Sequence, residues 1–102
     1  MSSISNVLSK DKEFLQFFWD LASKDIEIRI TTCINFKKYI TEHSIDYSYT
    51  LSRLIKGLSS SRESAREGFS TFLCEFLKLS HDKIRIDEVL QVLDDNSIVS
   101  YI

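Results

Sequence analysis

The 102-residue sequence predicts an all-α protein of HEAT/armadillo-like helical hairpin repeats, about five helices that form a right-handed solenoid fragment. The chain has no proline and only two glycines, which argues against a sandwich or barrel of many short strands. Apolar residues recur at helical spacing along most of the chain. The apolar pattern also repeats after 37 positions, a shift that takes Phe14 to Leu51, and this period is close to that of HEAT and armadillo repeats.

The first two predicted helices span residues 11–22 and 24–42. In the first, the apolar side chains at helical spacing are Phe14, Phe17, Phe18 and Leu21. Ser9 or Asp11 is the expected N-cap, because short polar side chains bind the free N–H groups of a first turn. In the second helix we expect the inward stripe to be Ile26, Ile30, Cys33 and Ile40, widened by Ile28, Phe36 and Tyr39. Its first residues alternate like a strand, but the helical period then continues for three more turns.

The third and fourth predicted helices span residues 47–58 and 62–79. Asp46 is the expected cap of the third helix, whose inward residues are Leu51, Leu54, Ile55 and Leu58. Ser60 and Glu63 have the spacing of a capping box, which predicts the start of the fourth helix. The apolar stripe of that helix is Ala65, Phe69, Phe72, Leu73, Phe76 and Leu77.

The fifth predicted helix spans residues 87–95, with Val89, Leu90, Val92 and Leu93 as its apolar residues. The predicted organisation is an N-terminal tail at 1–10 and one helical-repeat domain at 11–102. That domain comprises hairpins at 11–42 and 47–79 and an incomplete third unit at 87–102. Because the third unit is incomplete, helix five is expected to leave one face without a partner. We expect a fragment of a longer solenoid, the alternative being an end closed by dimerisation, and the oligomeric state stays open.

The charges exclude a dedicated basic nucleic-acid domain, since 13 Lys and Arg residues face 15 Asp and Glu residues and the net charge is -2. One segment is nevertheless basic, because Arg53, Lys56, Arg62 and Arg66 are accompanied there by one acid, Glu63. These four residues are the candidate contacts for a nucleic-acid backbone or a protein partner. The alternative is a solvated surface. For Arg29 and Arg66, at equivalent repeat positions, the alternative is a structural contact between units.

Residues 49–70 carry a distinctive run. It consists of Arg53-Leu54, Gly57-Leu58, three serines at 59–61, Arg62, Ala65-Arg66, Gly68 and Phe69. This run resembles the N-terminal region of the DNA polymerase V / Myb-binding protein 1A family, and residues 17–23 look like the opening helix of that family. Glu67 departs from the family pattern, in which proline or an apolar residue is frequent. The resemblance marks Gly57, Leu58, Ala65, Gly68 and Phe69 as structural motif residues, and we expect Gly68 to allow close approach of another helix.

The resemblance implies a large, mostly helical protein of the nucleus and nucleolus that acts in ribosomal RNA gene transcription and ribosome biogenesis. It implies a non-catalytic scaffold with nucleolar proteins or transcription factors as partners. Polymerase activity, suggested by the family name, is not expected. The alternative function is direct binding of DNA or RNA through the basic segment from Arg53 to Arg66.

No catalytic residue, metal site or cofactor is predicted. His43, His81, Cys33 and Cys74 lack the close spacing of metal ligands, and no nucleophile motif is present. Both cysteines are expected to be buried, reduced thiols. No membrane contact is expected, because the longest run of large apolar residues is 17–19.

Overall fold

The computed structural model describes residues 11–96, and within them the chain is all-helical with five helices and no strand. The helices are α1 Lys12–Leu21, α2 Ile26–Glu42, α3 Tyr47–Gly57, α4 Glu63–Leu79 and α5 Ile86–Asp95. The predicted tail at 1–10 and the end of the predicted third unit, at 97–102, lie outside the described residues. No helix of the described part is long and apolar enough to cross a membrane.

Aspartate side chains begin the first three helices. Asp11 accepts a hydrogen bond from the Phe14 backbone N–H at 2.8 Å and caps α1. Asp25 and Asp46 cap α2 and α3 in the same way. Each cap supplies an acceptor for an N–H group that has no partner within its own helix, and such a cap contributes about 1 kcal/mol.

The helices pair as two antiparallel hairpins. In the first, the hydroxyl of Tyr39 near the end of α2 donates to Oδ2 of Asp11 at the start of α1, at 2.8 Å. In the second, the rings of Tyr47 at the start of α3 and Phe76 near the end of α4 are stacked with centroids 6.0 Å apart. The backbone of Gly57, the last residue of α3, lies against the ring of Phe69 in the first half of α4.

The two hairpins are stacked so that α2 and α4 run parallel and in register. Nη2 of Arg29 lies 3.1 Å from Oε1 of Glu67, and Nζ of Lys37 lies 3.4 Å from Oε1 of Glu75. Both ion pairs join residues 38 positions apart in the chain. Between them the rings of Phe36 and Phe72 are stacked with centroids 4.4 Å apart. Helix α5 packs against α3.

One core runs through both hairpins. Its fully buried large side chains are Phe18, Leu21, Phe36, Leu51, Leu54, Ile55, Phe72 and Phe76. They come from the predicted stripes of α1, α3 and α4, together with Phe36 of α2. Burial of side chains of this size contributes about 1.5–3 kcal/mol each, so this core is the main source of stability.

The expected inward stripe of α2 is wrong over the first half of that helix. Ile26 and Ile30 are 59% and 55% exposed, and Ile28 is also exposed. The prediction is confirmed for Phe36, Tyr39 and Ile40, which are buried on the side facing α1 and α4 together with Thr32, which was not predicted. Thr32 tolerates this burial because its hydroxyl donates to the Ile28 carbonyl at 2.6 Å.

Two further expectations are wrong. The N-cap of α4 is Arg62, with no side-chain cap, and Oγ of Ser60 accepts from the Arg62 backbone N–H at 3.1 Å, so no capping box forms. Cys74 is exposed, because it lies on the side of α4 away from α2 and α3. Of the apolar residues of α5, Leu90 is exposed, and α5 contacts its neighbours through Val89, Val92 and Leu93.

The internal repeat has a counterpart in the structure. Helices α2 and α4 both have 17 residues, and a shift of 37 positions takes the bounds of α2 to those of α4. Nη1 of Arg29 donates to the carbonyl of Ser23 at 2.7 Å, and Nη1 of Arg66 donates to the carbonyl of Ser60 at 2.9 Å. The same shift relates both pairs. HEAT/armadillo solenoid character and its handedness stay predictions.

Candidate partner-binding surfaces

Arg53, the first of the four predicted basic contacts, joins α3 to α1. Its Nη1 donates to the hydroxyl of Tyr49 at 2.7 Å. Its guanidinium lies 4.7 Å from the centroid of the Phe18 ring, within the range of a cation–π contact. Arg53 therefore has a packing role that its position in the sequence does not reveal.

Arg62 binds the carboxyl end of α1. Its Nη2 donates to the Ala22 carbonyl at 2.7 Å, and the hydroxyl of Ser64 donates to the same oxygen at 3.1 Å. Arg29 donates to the next carbonyl, that of Ser23. Carbonyls at the end of a helix have no partners within the helix, so these side chains supply the missing donors.

Lys56 and Arg66 are exposed. Lys56 lies in the last turn of α3, where a positive charge interacts favourably with the helix dipole. Arg66 donates to the Ser60 carbonyl, which belongs to the connection between α3 and α4. The expected contact between units is therefore present for Arg29, through Glu67, whereas the described contact of Arg66 stays within its own hairpin.

The structure gathers a different set of cations around one surface hollow. The hollow has a volume of about 450 Å³. It is lined by Lys24, Arg29, Arg62, Glu63, Ser64 and Glu67. Arg62 is the only one of the four predicted contacts among these residues. The sequence did not predict that Lys24 and Arg29 join Arg62 here, because the connection between α1 and α2 meets the start of α4 only in the folded chain. The equivalence of Arg29 and Arg66 in the repeat was the one signal that could have pointed to Arg29.

Both glycines of the family motif lie where another element leaves no room for a side chain. A Cβ atom on Gly68 would lie 1.7 Å from the Leu21 carbonyl oxygen, so α4 passes directly over the end of α1. A Cβ atom on Gly57 would lie 2.4 Å from the ring of Phe69. Of the other motif residues, Ala65 is buried and Leu58 is partly buried.

An exposed apolar row runs along α2. Ile26, Ile30 and Ile34 are 59%, 55% and 64% exposed and follow one another at intervals of four residues, so they share one flank of the helix. A hollow of about 260 Å³ lies beside this isoleucine row, between α2 and α4. Its lining includes Ile26, Ile30, Cys33, Gly68 and Thr71. Sequence periodicity placed the first two isoleucines in the core and therefore missed this surface.

The remaining chemical groups do not form a reactive centre in the described part of the chain. Burial raises the pKa of the half-buried Cys33 thiol, and the carboxylate of Glu75 raises it further. The pKa of Glu75 itself is lowered by hydrogen bonds and charge from Lys78 and Lys37. Between residues 11 and 96 no group of three or more histidine, cysteine or acidic side chains is arranged to hold a metal ion.

These features describe a class of all-helical protein whose motif residues serve close helix packing and whose apolar surface is available for contact. The family model described as DNA polymerase phi matches residues 49–100, which include most of α3 and all of α4 and α5. The chain belongs to the DNA polymerase phi family, and the family resemblance read from the sequence is confirmed.

Curated relatives agree with this assignment. The chain is 35% identical to a Myb-binding protein 1A-like protein of Danio rerio over 78% of its own length. It is 32% identical to Myb-binding protein 1A of Homo sapiens and 38% identical to the rDNA transcriptional regulator pol5 of Schizosaccharomyces pombe, each over 87% of its length. The chain spans 6% of the length of the first of these relatives and 9% of the last. No solved structure matches the chain.

Proposed function

We propose that the protein acts as a non-catalytic, HEAT/armadillo-like scaffold in the nucleolus, where it supports ribosomal RNA gene transcription and ribosome biogenesis. The family relationship supports this proposal, because two relatives are named rDNA transcriptional regulators and others are named Myb-binding proteins. The role assigned to this part of the chain is to hold a protein partner.

The isoleucine row is the observation that carries the proposal. Large apolar side chains grouped on one exposed flank are a feature of interaction surfaces. Ile26 and Ile34 are eight residues apart, which corresponds to roughly 12 Å along a helix. This length suits the apolar face of a short amphipathic helix, whose anchoring side chain the hollow between α2 and α4 would accept.

The repeat supplies a matched variant for the test. A shift of 37 positions takes Ile26, Ile30 and Ile34 to Glu63, Glu67 and Thr71. The triple variant I26E/I30E/I34T therefore gives α2 the outer surface that α4 already carries. The control variant I26V/I30V/I34V keeps the row apolar.

The experiment replaces the endogenous full-length protein by each variant in cells and measures pre-ribosomal RNA synthesis by pulse labelling. Protein abundance and nucleolar position are recorded in the same cells. We expect the Glu/Thr variant to be as abundant as the wild type but to support less pre-ribosomal RNA synthesis, and the valine variant to behave as wild type. Equal synthesis with all three proteins, at equal abundance, would show that the row does not carry this function.

A second candidate function is binding of DNA or RNA, favoured by the three cations that line the 450 Å³ hollow. Phosphate contacts made by Lys24, Arg29 and Arg62 would give an affinity that falls steeply as salt rises. We expect a Lys24→Ala variant to bind a duplex more weakly and with a shallower salt dependence than the wild type, while Lys56→Ala, outside the hollow, retains binding. Binding that is insensitive to salt, or that is lost equally in both variants, argues against this hollow.

A further inference from the structure

We propose that the far side of α4 is the packing surface for a further helix of the same polypeptide, one that follows α5 and presents a carboxylate to Arg66. The surface, named here the end face, consists of Arg66, Leu73 and Leu77 of α4. It is distinct from the isoleucine row, and it rests on the helical-repeat architecture proposed above but not on the partner-binding role.

The first argument is the equivalence of Arg29 and Arg66. Both donate Nη1 to the carbonyl six positions earlier, at 2.7 and 2.9 Å. Arg29 also extends Nη2 to Glu67 of the neighbouring helix, at 3.1 Å. Among residues 11–96 no carboxylate lies within ion-pair distance of Arg66. The guanidinium of Arg66 is thus held in the same geometry as that of Arg29. If a further helix packed on α4 as α4 packs on α2, an acidic side chain on that helix would complement Arg66.

The second argument is the apolar part of α4. A shift of 37 positions takes Phe36 and Ile40 of α2 to Leu73 and Leu77 of α4. Phe36 is fully buried, Ile40 is 5% exposed, and Phe36 stacks on α4. Leu73 and Leu77 are only partly buried. Leu73 and Leu77 therefore lie on one side of α4, and the equivalent side of α2 packs against the next hairpin.

The third argument is that the stack also continues beyond α5, whose open side would receive the helix after the one that meets Arg66. A shift of 38 positions takes Ser48 of α3 to Ile86 and takes Ser52 to Leu90. Ser48 faces α5, since its hydroxyl donates to Oε2 of Glu88. Ile86 and Leu90 are 74% and 54% exposed, so the side of α5 that continues the stack is apolar and open to solvent.

The occupant is a helix of the same polypeptide rather than a second copy. The matched relatives are more than ten times as long as the stretch they share with this chain, since that stretch is 6% of one and 9% of another. In a parallel arrangement of equivalent helices, the register set by Arg29 and Glu67 recurs with each unit, and an acidic residue on the following helix would meet Arg66.

A Leu73→Cys variant provides the probe, because Leu73 is only partly buried within residues 11–96 whereas its equivalent Phe36 is fully buried beside α4. The experiment measures the alkylation rate of the introduced thiol by iodoacetamide in the native full-length protein, with peptide mass mapping to separate it from Cys33 and Cys74. A Thr41→Cys variant, on an exposed position of α2 away from the end face, is the control. We expect the thiol of Leu73→Cys to react at least about tenfold more slowly than the thiol of Thr41→Cys, because local opening must precede reaction.

Charge reversal at Arg66 sharpens the test. We expect Arg66→Glu, combined with Leu73→Cys, to raise the alkylation rate of the introduced thiol towards that of the control thiol, whereas Arg66→Lys retains protection. Fast alkylation of the Leu73→Cys thiol in full-length protein that carries Arg66 would overturn the proposal, as would a reading frame that ends at Ile102. Protection that disappears on dilution would overturn it in favour of a second copy.

Discussion

Helices α2 and α4 are equivalent elements of the repeat, yet they present different surfaces. Both have 17 residues and anchor an arginine on the carbonyl six positions earlier. On the outer flank, α2 exposes Ile26, Ile30 and Ile34, whereas α4 has polar residues at the equivalent positions. The repeat therefore determines the length and packing of both helices, whereas the exposed residues on their outer flanks differ and can serve different functions.

The two helices also differ where they meet a neighbour. Gly68 of α4 lies against the end of α1, and its equivalent in α2 is the exposed Thr31. Phe36 of α2 is enclosed by neighbouring rings, and its equivalent in α4 is the partly buried Leu73. Both differences follow from position in the stack. Within residues 11–96, α4 has α1 and α2 on the side where α2 has no such neighbour, and α2 has α4 on the side where α4 has none.

The largest difference in stability is expected between Phe36→Ala and Leu73→Ala. Phe36 stacks on Phe17 and Phe72, so its truncation leaves a cavity and should cost about 3–5 kcal/mol. Leu73 is partly solvated, and its truncation should cost about 1–2 kcal/mol. Urea unfolding monitored by circular dichroism measures both. Equal losses would mean that the two helices are packed alike.

The next effect is expected at Gly68. A Gly68→Ala variant places a methyl group on the Leu21 carbonyl, a backbone atom that cannot move alone, and should cost about 3 kcal/mol. The equivalent change in α2, Thr31→Ala, should alter the free energy of unfolding by less than about 0.5 kcal/mol. Thermal unfolding of the two variants checks this contrast, and a harmless Gly68→Ala would contradict the close approach of α4 to α1.

A smaller effect is expected for the equivalent arginines. The side chain of Arg29 is 12% exposed and binds a carbonyl and Glu67, so Arg29→Ala should cost about 1–2 kcal/mol. Because Glu67 is exposed, the ion pair contributes little to the free energy of unfolding. In a protein that ends near Ile102, Arg66→Ala should cost less than about 0.5 kcal/mol. Chemical denaturation of the two variants provides the comparison, with an equal loss for both as the contradicting result.

Tyr39 predicts a pH dependence that α4 lacks, because its equivalent there is Phe76. Burial, and then the hydrogen bond and charge of Asp11, raise the pKa of Tyr39 to about 12 from a usual value of 10.0. The folded state thus holds this proton more tightly than the unfolded state. The resulting stabilisation is complete below pH 10 and is lost as the pH rises from 10 to about 12.

We therefore expect the wild type to lose more stability than Tyr39→Phe between about pH 9 and about pH 11. Denaturant titrations of both proteins at the two pH values measure the difference, and the comparison removes contributions from the other tyrosines and from lysines. Identical pH profiles would show that the Tyr39 hydroxyl is not held by Asp11.

The sequence predicted helices and their buried sides well wherever a helix packs against the core with one side only. The spacing of Phe14, Phe18 and Leu21 located the buried side of α1, and Asp11 and Asp46 are the caps that their positions suggested. Periodicity failed in α2, because it reports which residues are apolar but not which of two apolar flanks meets a neighbour. The exposed Ile30 is the clearest example.

The candidate site was less predictable, since its contacts join residues far apart in the chain. Arg62 binds the carbonyl of Ala22, and Arg29 pairs with Glu67, across 40 and 38 positions. Such pairings depend on how the hairpins stack. The role of Gly68 in a close approach was predictable, but its neighbour, the Leu21 carbonyl, was not.

The stacking of α2 on α4 in register is the claim from which the surface assignments follow. The most direct test is a nuclear Overhauser measurement between aromatic rings in selectively labelled protein. The account predicts strong cross-peaks between Phe36 and Phe72, whose ring centroids are 4.4 Å apart, in addition to those between Phe36 and Phe17. Cross-peaks from Phe36 to Phe17 without any to Phe72 would contradict it.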